Sequence, residues 1–172
     1  DIVSIVQWSS GSAIILDSRA VSGPNDATLL LKINSLVTSG STDLHEGLMA
    51  AYELAVKNRA LGRMSRGMLI SDGGANTGIT DDQLIASMAA DSESEGIYLT
   101  GVGVGDGYND TLMDNVTDKG KGAYVFVDSL DEADRLFGDE HSFVSLVDIA
   151  ARDVRLSVAL PPGWYMEKFH GE

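Results

Sequence analysis

The sequence predicts an α/β fold of the Rossmann-like, doubly wound type, with a mainly parallel sheet and one antiparallel edge strand. Strand-like and helix-like patterns alternate from Gly67 to about residue 151, which is the order of elements in a parallel sheet with crossover helices. Residues 68–70 are continuously apolar, as in a strand that is buried on both faces. Near the N-terminus, two strand-like patterns are separated only by Ser9-Ser10-Gly11, a connection that favours an antiparallel hairpin.

Each predicted element has a local signal. The hairpin strands are expected at 2–8 and 13–16, and further buried strands at 68–71, 97–104 and 123–127. Helix-start signals stand at 23–26, 43–46, 80–83 and 129–132. The apolar helix faces are 29, 33 and 36; 44, 48, 51 and 55; 84, 85, 88 and 89; 112, 113 and 116; 136 and 137; and 143, 144 and 147. Gly138 is expected to separate the last two helices.

The pattern changes near residue 152. From Val154 to Leu160 apolar residues alternate with less apolar ones, as in a strand with one solvent-facing side. The turn sequence Pro161-Pro162-Gly163 follows. We therefore predict one α/β domain at 1–151 and the start of a β-rich extension at 152–172.

Composition limits the classes of function. The chain has 172 residues, 44% of them hydrophobic, a net charge of −14 and no cysteine. Such acidity argues against a nucleic-acid partner, because phosphate binding needs a basic face, and it would attract cations. No apolar run approaches the roughly 20 residues of a membrane span. Thiolate catalysis is excluded by the missing cysteines.

Two oxygen-bearing side chains are the candidate ligands of a metal ion. Thr42 precedes a predicted helix, and Asp72 ends a predicted buried strand before two glycines. Helix starts and strand ends share one edge of an α/β sheet, where such folds bind ligands. A hydroxyl and a carboxylate suit Mg²⁺, Ca²⁺ or Mn²⁺ better than zinc. The alternatives are structural: Thr42 as a helix N-cap and Asp72 as the start of an Asx-turn.

The loops that leave the same strand ends are a candidate partner-binding rim. Polar side chains follow the strand of Asp72 and the next strand along the chain. They either give a partner its specificity around the cation or belong to solvated glycine-rich turns. The rim residues are Asn76, Thr77, Asp106, Tyr108, Asn109 and Asp110.

Two segments carry a resemblance to a known family. Gly-Ser-Thr-Asp-Leu-His-Glu-Gly-Leu at 40–48 and Leu-Ile-Ser-Asp-Gly at 69–73 resemble the von Willebrand factor type A (VWA) domain, especially its bacterial secreted or envelope members. The resemblance implies a metal-ion-dependent adhesion site, most often holding Mg²⁺. In it Thr42 would bind the cation directly, Asp72 directly or through a water, and a partner's carboxylate would complete the shell. It also implies an extracellular, periplasmic or cell-envelope location.

The sequence departs from the family at the motif Asp-x-Ser-x-Ser, which ends the family's first, central strand. No segment matches it; Asp-Ser-Glu-Ser-Glu at 91–95 has the wrong residues and ends a predicted helix. We therefore expect that the first strand and helix lie outside the 172 residues, upstream or on another chain. The metal shell would then be incomplete within them, since Mg²⁺ takes six oxygens.

A binding module fits the sequence better than an enzyme. The glycines at 101, 103, 105 and 107 do not have dinucleotide-loop spacing, and neither a Walker A loop nor a nucleophile elbow is present. We therefore expect cation-dependent protein binding without catalysis. The alternatives are a cytoplasmic regulatory subunit of an AAA+ ATPase, a metal-free structural interaction domain and a metal-dependent phosphohydrolase.

Overall fold

The structure is a computed structural model that describes residues 1–23, 25–38, 40–72, 74, 96–105, 109–148 and 157–168. The predicted helix after the start signal at 80–83 lies outside these residues. None of the described helices is both long enough and apolar enough to cross a membrane.

The predicted N-terminal hairpin is confirmed. Strand β1 (Ile2–Trp8) pairs antiparallel with β2 (Ser12–Ala20), from Ile2 opposite Ala20 to Trp8 opposite Ser12. β2 is longer than the predicted 13–16, because its polar second half also pairs with β1. An irregularity occurs there: Ser18 has φ 50, and its amide donates a hydrogen bond to the Ser4 hydroxyl at 3.0 Å.

The parallel part of the prediction is also confirmed. Strands β3 (Ser65–Ser71), β4 (Ile97–Val104) and β5 (Tyr124–Val127) form a parallel sheet in the order β3-β4-β5. The middle strand, β4, is buried along nearly its whole length, as expected for a strand covered on both faces. β3 and β5 therefore lie on either side of a buried central strand.

The hairpin does not form an edge of that parallel sheet, which corrects one detail of the prediction. Within the described residues, β1 pairs with β2 and β3 pairs with β4, and the two sheets share no ladder. The physical reason is that no described strand lies between β1 and β3. Instead, helix α2 (Leu44–Lys57) packs against both of them.

In the part of the chain that the structure describes, five helices accompany the two sheets. Besides α2 they are α1 (Ala27–Ile33), α3 (Asp110–Lys119), α4 (Leu130–Phe137) and α5 (Glu140–Val147). The predicted start signals are confirmed where they are described, since α1, α2 and α4 are capped by the side chains of Asp26, Asp43 and Ser129. Gly138 follows α4 as its C-cap, which confirms the predicted separation of α4 from α5.

The main core lies between α2, α3 and the parallel sheet. Burying one such aliphatic side chain contributes about 1.5–3 kcal/mol, so this cluster fixes how α2 sits on β3 and β4. Its members are Leu44, Leu48, Tyr52, Leu69, Ile97, Leu99, Leu112, Met113 and Val116.

The C-terminal segment is described only from 157 to 168. It is exposed, and it turns where the Trp164 amide donates to the Pro161 carbonyl at 3.1 Å. The division at residue 151 and the β-rich extension stay predictions.

Candidate functional site

Helix α2 runs antiparallel to β1, so it begins where β1 ends. The Asp43 amide, at the helix start, donates to the carbonyl of Ser9 at 2.6 Å. At the other end, Lys57 forms an ion pair with Asp17 of β2 at 2.7 Å. Asp17 lies toward the end of β2, beside the beginning of β1. The loop that carries Thr42 is therefore at the end of β1 and not at its start.

Strand β3 returns the chain to the same edge. A short connection, residues 58–64, separates the end of α2 from the start of β3. The helix has 14 residues and the strand has 7, which correspond to about 21 Å and about 23 Å. Because α2 and β3 pack together and have nearly equal lengths, we infer that the end of β3 lies level with the start of α2. Asp72 and Thr42 are thus at one edge of the fold.

Thr42 is not the N-cap of α2. The cap is Asp43, whose carboxylate accepts a hydrogen bond from the Glu46 amide at 3.0 Å. The alternative interpretation of Thr42, as the N-cap of this helix, is therefore wrong. Thr42 is the half-buried residue just before the cap, beside the partial positive charge of the helix start.

Asp72 does open the Asx-turn that its sequence context suggested. Its Oδ1 accepts a hydrogen bond from the Gly74 amide at 3.0 Å, and the side chain is exposed. The turn uses one carboxylate oxygen, and no described residue donates to Oδ2. The turn therefore does not exclude a second role for this carboxylate.

One part of the predicted rim lies directly beside Asp72. The Asn109 amide donates to the Asp72 carbonyl at 3.2 Å, which joins the end of β3 to the start of α3. Asn109 also caps α3, since its Oδ1 accepts from the Leu112 amide at 3.0 Å. Asp110 occupies the first turn of that helix. The other four rim residues, Asn76, Thr77, Asp106 and Tyr108, lie outside the described residues.

The donor set at this edge is made of hard oxygen atoms. A threonine hydroxyl and an exposed carboxylate match the preferences of Mg²⁺, Ca²⁺ and Mn²⁺. In the described part of the chain, no three or more His, Cys, Asp or Glu side chains cluster tightly enough to hold a metal ion. The residues present therefore fit part of a cation shell that needs further oxygens.

Sequence reasoning missed the residues that attach the hairpin to the Thr42 loop. The Ser41 amide donates to the Ser10 Oγ at 3.1 Å, and the two serine hydroxyls are 3.0 Å apart. Glu46 Oε1 accepts from the amide and the hydroxyl of Ser12, at 3.3 and 3.2 Å. The only signal in the sequence was the serine-rich turn itself, which indicates a hairpin and nothing about its neighbours.

Comparison with known proteins agrees with the family resemblance seen in the sequence. The model of the von Willebrand factor type A domain matches residues 1–139. A curated relative, uncharacterized protein YfbK of Escherichia coli (strain K12), is 34% identical over 168 residues, which are 97% of this chain. The chain spans only 28% of that relative's length.

Solved structures show the same fold. A conserved hypothetical protein BatB from Bacteroides thetaiotaomicron superposes with a TM-score of 0.67 at 15% identity, over 86% of this chain and 80% of that one. Proximal thread matrix protein 1 from the mussel byssus, with a zinc-occupied MIDAS motif, gives 0.61 at 19% identity, over 78% of this chain and 34% of that one.

Proposed function

This chain belongs to the von Willebrand factor type A domain family, and from that premise we propose that it is a divalent-cation-dependent protein-binding module without catalytic activity. The observation that carries the proposal is the convergence of the Thr42 loop and Asp72 at one edge of the fold. Interaction rather than catalysis is the general role of this domain. The zinc-occupied motif of the mussel protein supports metal binding in a structural neighbour.

In the proposed site Thr42 binds the cation through its hydroxyl, and Asp72 binds it directly or through a water. The cation is Mg²⁺, with Ca²⁺ or Mn²⁺ as substitutes that also prefer oxygen. When bound, it attracts a carboxylate from the partner. The start of α2 adds partial positive charge beside Thr42, which favours the same incoming carboxylate.

Oxygens from elsewhere complete the shell. Mg²⁺ prefers six in near-octahedral geometry, and Thr42 and Asp72 supply at most two. We assign the others to the partner's carboxylate, to water and to an Asp-x-Ser-x-Ser strand that belongs between β1 and β3. The separation of the two sheets, with α2 packed on both, supports that location.

The rim gives the site its choice of partner. Asn109 and Asp110 stand beside Asp72 at the start of α3. In the sequence, Asn76 and Thr77 follow β3, and Asp106 and Tyr108 follow β4, so we assign them to the same partner-binding rim. An extracellular, periplasmic or cell-envelope location accords with an adhesive role, whereas a regulatory subunit of an AAA+ ATPase would be cytoplasmic.

The test is a Mg²⁺ titration by calorimetry on the full-length polypeptide in which these residues naturally occur. The ligand-removing variants are Thr42→Ala and Asp72→Asn. Thr28→Ala is the matched control for the first, because Thr28 is also half-buried at a helix start. Asp114→Asn, an exposed aspartate on α3, is the control for the second.

We expect the wild type and both controls to bind one Mg²⁺, and both ligand variants to lose most of the affinity. Capture of a protein partner should disappear in EDTA and return with Mg²⁺. A wild type that binds no Mg²⁺ but still captures its partner in EDTA would refute the proposal in favour of a metal-free interaction domain. Unchanged affinity in Thr42→Ala would remove that residue from the site.

A further inference from the structure

Both chain neighbours of Thr42 are attached to the hairpin turn. On one side, the Ser41 amide donates to the Ser10 hydroxyl at 3.1 Å. On the other side, the Asp43 amide donates to the Ser9 carbonyl at 2.6 Å. The position of the Thr42 backbone is therefore determined from outside its own helix.

Ser10 and Gly40 approach each other so closely that a side chain at Gly40 would displace the Ser10 hydroxyl. A Cβ at Gly40 would contact the Ser10 Oγ directly. Gly40 also has φ 69, a conformation that a residue with a side chain adopts at a cost. The glycine thus lets the loop fold onto the serine.

The hairpin turn is itself held in place by α2. Glu46 Oε1 accepts from the Ser12 amide and hydroxyl, while the Glu46 amide donates to the carboxylate of Asp43. The turn is closed internally by the Ser9 amide, which donates to the Gly11 carbonyl at 2.8 Å. Turn, loop and helix start form one hydrogen-bonded unit, which we call the hairpin clamp: residues 9–12, 40–43 and 46.

We propose that Ser10 is a positioning residue of the cation site, whose hydroxyl fixes the loop that presents Thr42. The predicted effect on metal affinity rests on the proposed function. The fixing of the Thr42 loop by the Ser10 hydroxyl does not. Ser10 is exposed, so losing its hydroxyl removes an anchor without opening a cavity in the core. Groups that orient a metal ligand, without touching the metal, commonly change metal affinity about 10–100-fold when they are mutated.

The experiment compares Ser10→Ala with Ser10→Thr, which keeps a hydroxyl, in the full-length polypeptide. Ser145→Ala is the matched control, because Ser145 is an exposed serine on α5 whose hydroxyl donates within its own helix, to the Ser142 carbonyl. Two quantities are measured. One is the dissociation constant for Mg²⁺, and the other is hydrogen exchange of the segment containing the Ser41 amide in metal-free protein.

Ser10→Ala should weaken Mg²⁺ binding about 10-fold or more and speed exchange at Ser41, with an unchanged melting temperature. Ser10→Thr should restore both quantities, and Ser145→Ala should change neither. Unaltered exchange at Ser41 in Ser10→Ala would overturn the clamp itself. Accelerated exchange with unaltered Mg²⁺ affinity would overturn the positioning role.

The two measurements also separate this inference from the proposed function. If wild-type protein binds no Mg²⁺, the proposed function fails and the positioning role fails with it. Slow exchange at Ser41 that depends on Ser10 would still show that the clamp holds the loop. If Thr42→Ala loses Mg²⁺ while Ser10→Ala keeps it, the proposed function stands and the positioning role is wrong.

Discussion

The contact between Gly47 of α2 and Trp8 of β1 gives the sharpest stability prediction. A Cβ at Gly47 would lie 2.7 Å from Trp8 Cγ and 2.9 Å from both Cβ and Cδ2 of that residue. Carbon atoms normally approach to about 3.5–4.0 Å, so Gly47→Ala must displace the tryptophan or the helix. This contact is also next to the hairpin clamp, because Ser9 and Ser10 directly follow Trp8.

Two opposing effects decide the size of the change. Alanine in a helix interior is more favourable than glycine by about 1 kcal/mol. Overpacking of a well-packed contact costs about 1–3 kcal/mol. Taking the middle of that range, we expect Gly47→Ala to lower the free energy of unfolding by about 1 kcal/mol.

A double-mutant cycle isolates the contact. In a Trp8→Ala background two of the three close atoms, Cγ and Cδ2, are gone, while Cβ at 2.9 Å remains, so Gly47→Ala should be less destabilising there than in the wild type. The coupling energy should then be about 0.5–1 kcal/mol. Urea denaturation of the full-length polypeptide, followed by far-UV circular dichroism, supplies the four free energies. If Gly47→Ala stabilises the otherwise unchanged protein by about 1 kcal/mol, then α2 does not pack on the hairpin as closely as described.

Further predictions concern acid stability, a buried hydroxyl and folding of the isolated segment. Hydrogen bonds from the amides of Leu29 and Ser22, with Arg19 beside them, hold the pKa of Asp26 well below its ordinary 3.8. The stabilisation is therefore complete above about pH 4 and is lost as the pH falls further, so the gap in melting temperature between wild type and Asp26→Asn should shrink below that pH. The buried Tyr52 hydroxyl has no hydrogen-bond partner among the described residues, so Tyr52→Phe should raise the unfolding free energy by about 1 kcal/mol. A loss of similar size, in the same urea titration, would mean that the hydroxyl is satisfied in the full-length polypeptide. Residues 1–172 expressed alone should unfold over a broad range, because within the described residues β1 and β3 each have one edge without a strand partner; a sharp two-state melt without metal or partner would count against this.

Local signals in the sequence were enough to predict most elements. The approximate starts of α1, α2 and α4 could be identified because capping depends on a side chain and an amide two or three residues away. The break at Gly138 and the buried strand β4 have equally local signals. These features depend on residues that are close together in the sequence, so the local sequence is enough to predict them.

Features that depend on distant residues could not be predicted in the same way. Ser10 and Ser41 are 31 positions apart, and nothing in either segment indicates the other. The second half of β2 shows no clean alternation, yet it pairs with β1. The separation of the hairpin from the parallel sheet likewise depends on which strand edges meet.

The candidate site depends both on local sequence signals and on contacts between distant residues. Thr42 and Asp72 were predicted to share an edge from the general order of strands and helices, and the antiparallel course of α2 beside β1 and β3 agrees with this. The identity of the cap was harder, because Thr42 and Asp43 are adjacent and both types of residue cap helices. Only the hydrogen bond from the Glu46 amide to Asp43 distinguishes them.

The most direct test of the central claim is a crystal structure of the full-length polypeptide grown with Mn²⁺, in which anomalous scattering locates the ion. We expect one peak at about 2.1 Å from the Thr42 hydroxyl oxygen, the distance of a direct oxygen ligand, with Asp72 bound to the ion directly or through one water. An ion elsewhere on the acidic surface, with none between Thr42 and Asp72, would contradict the account.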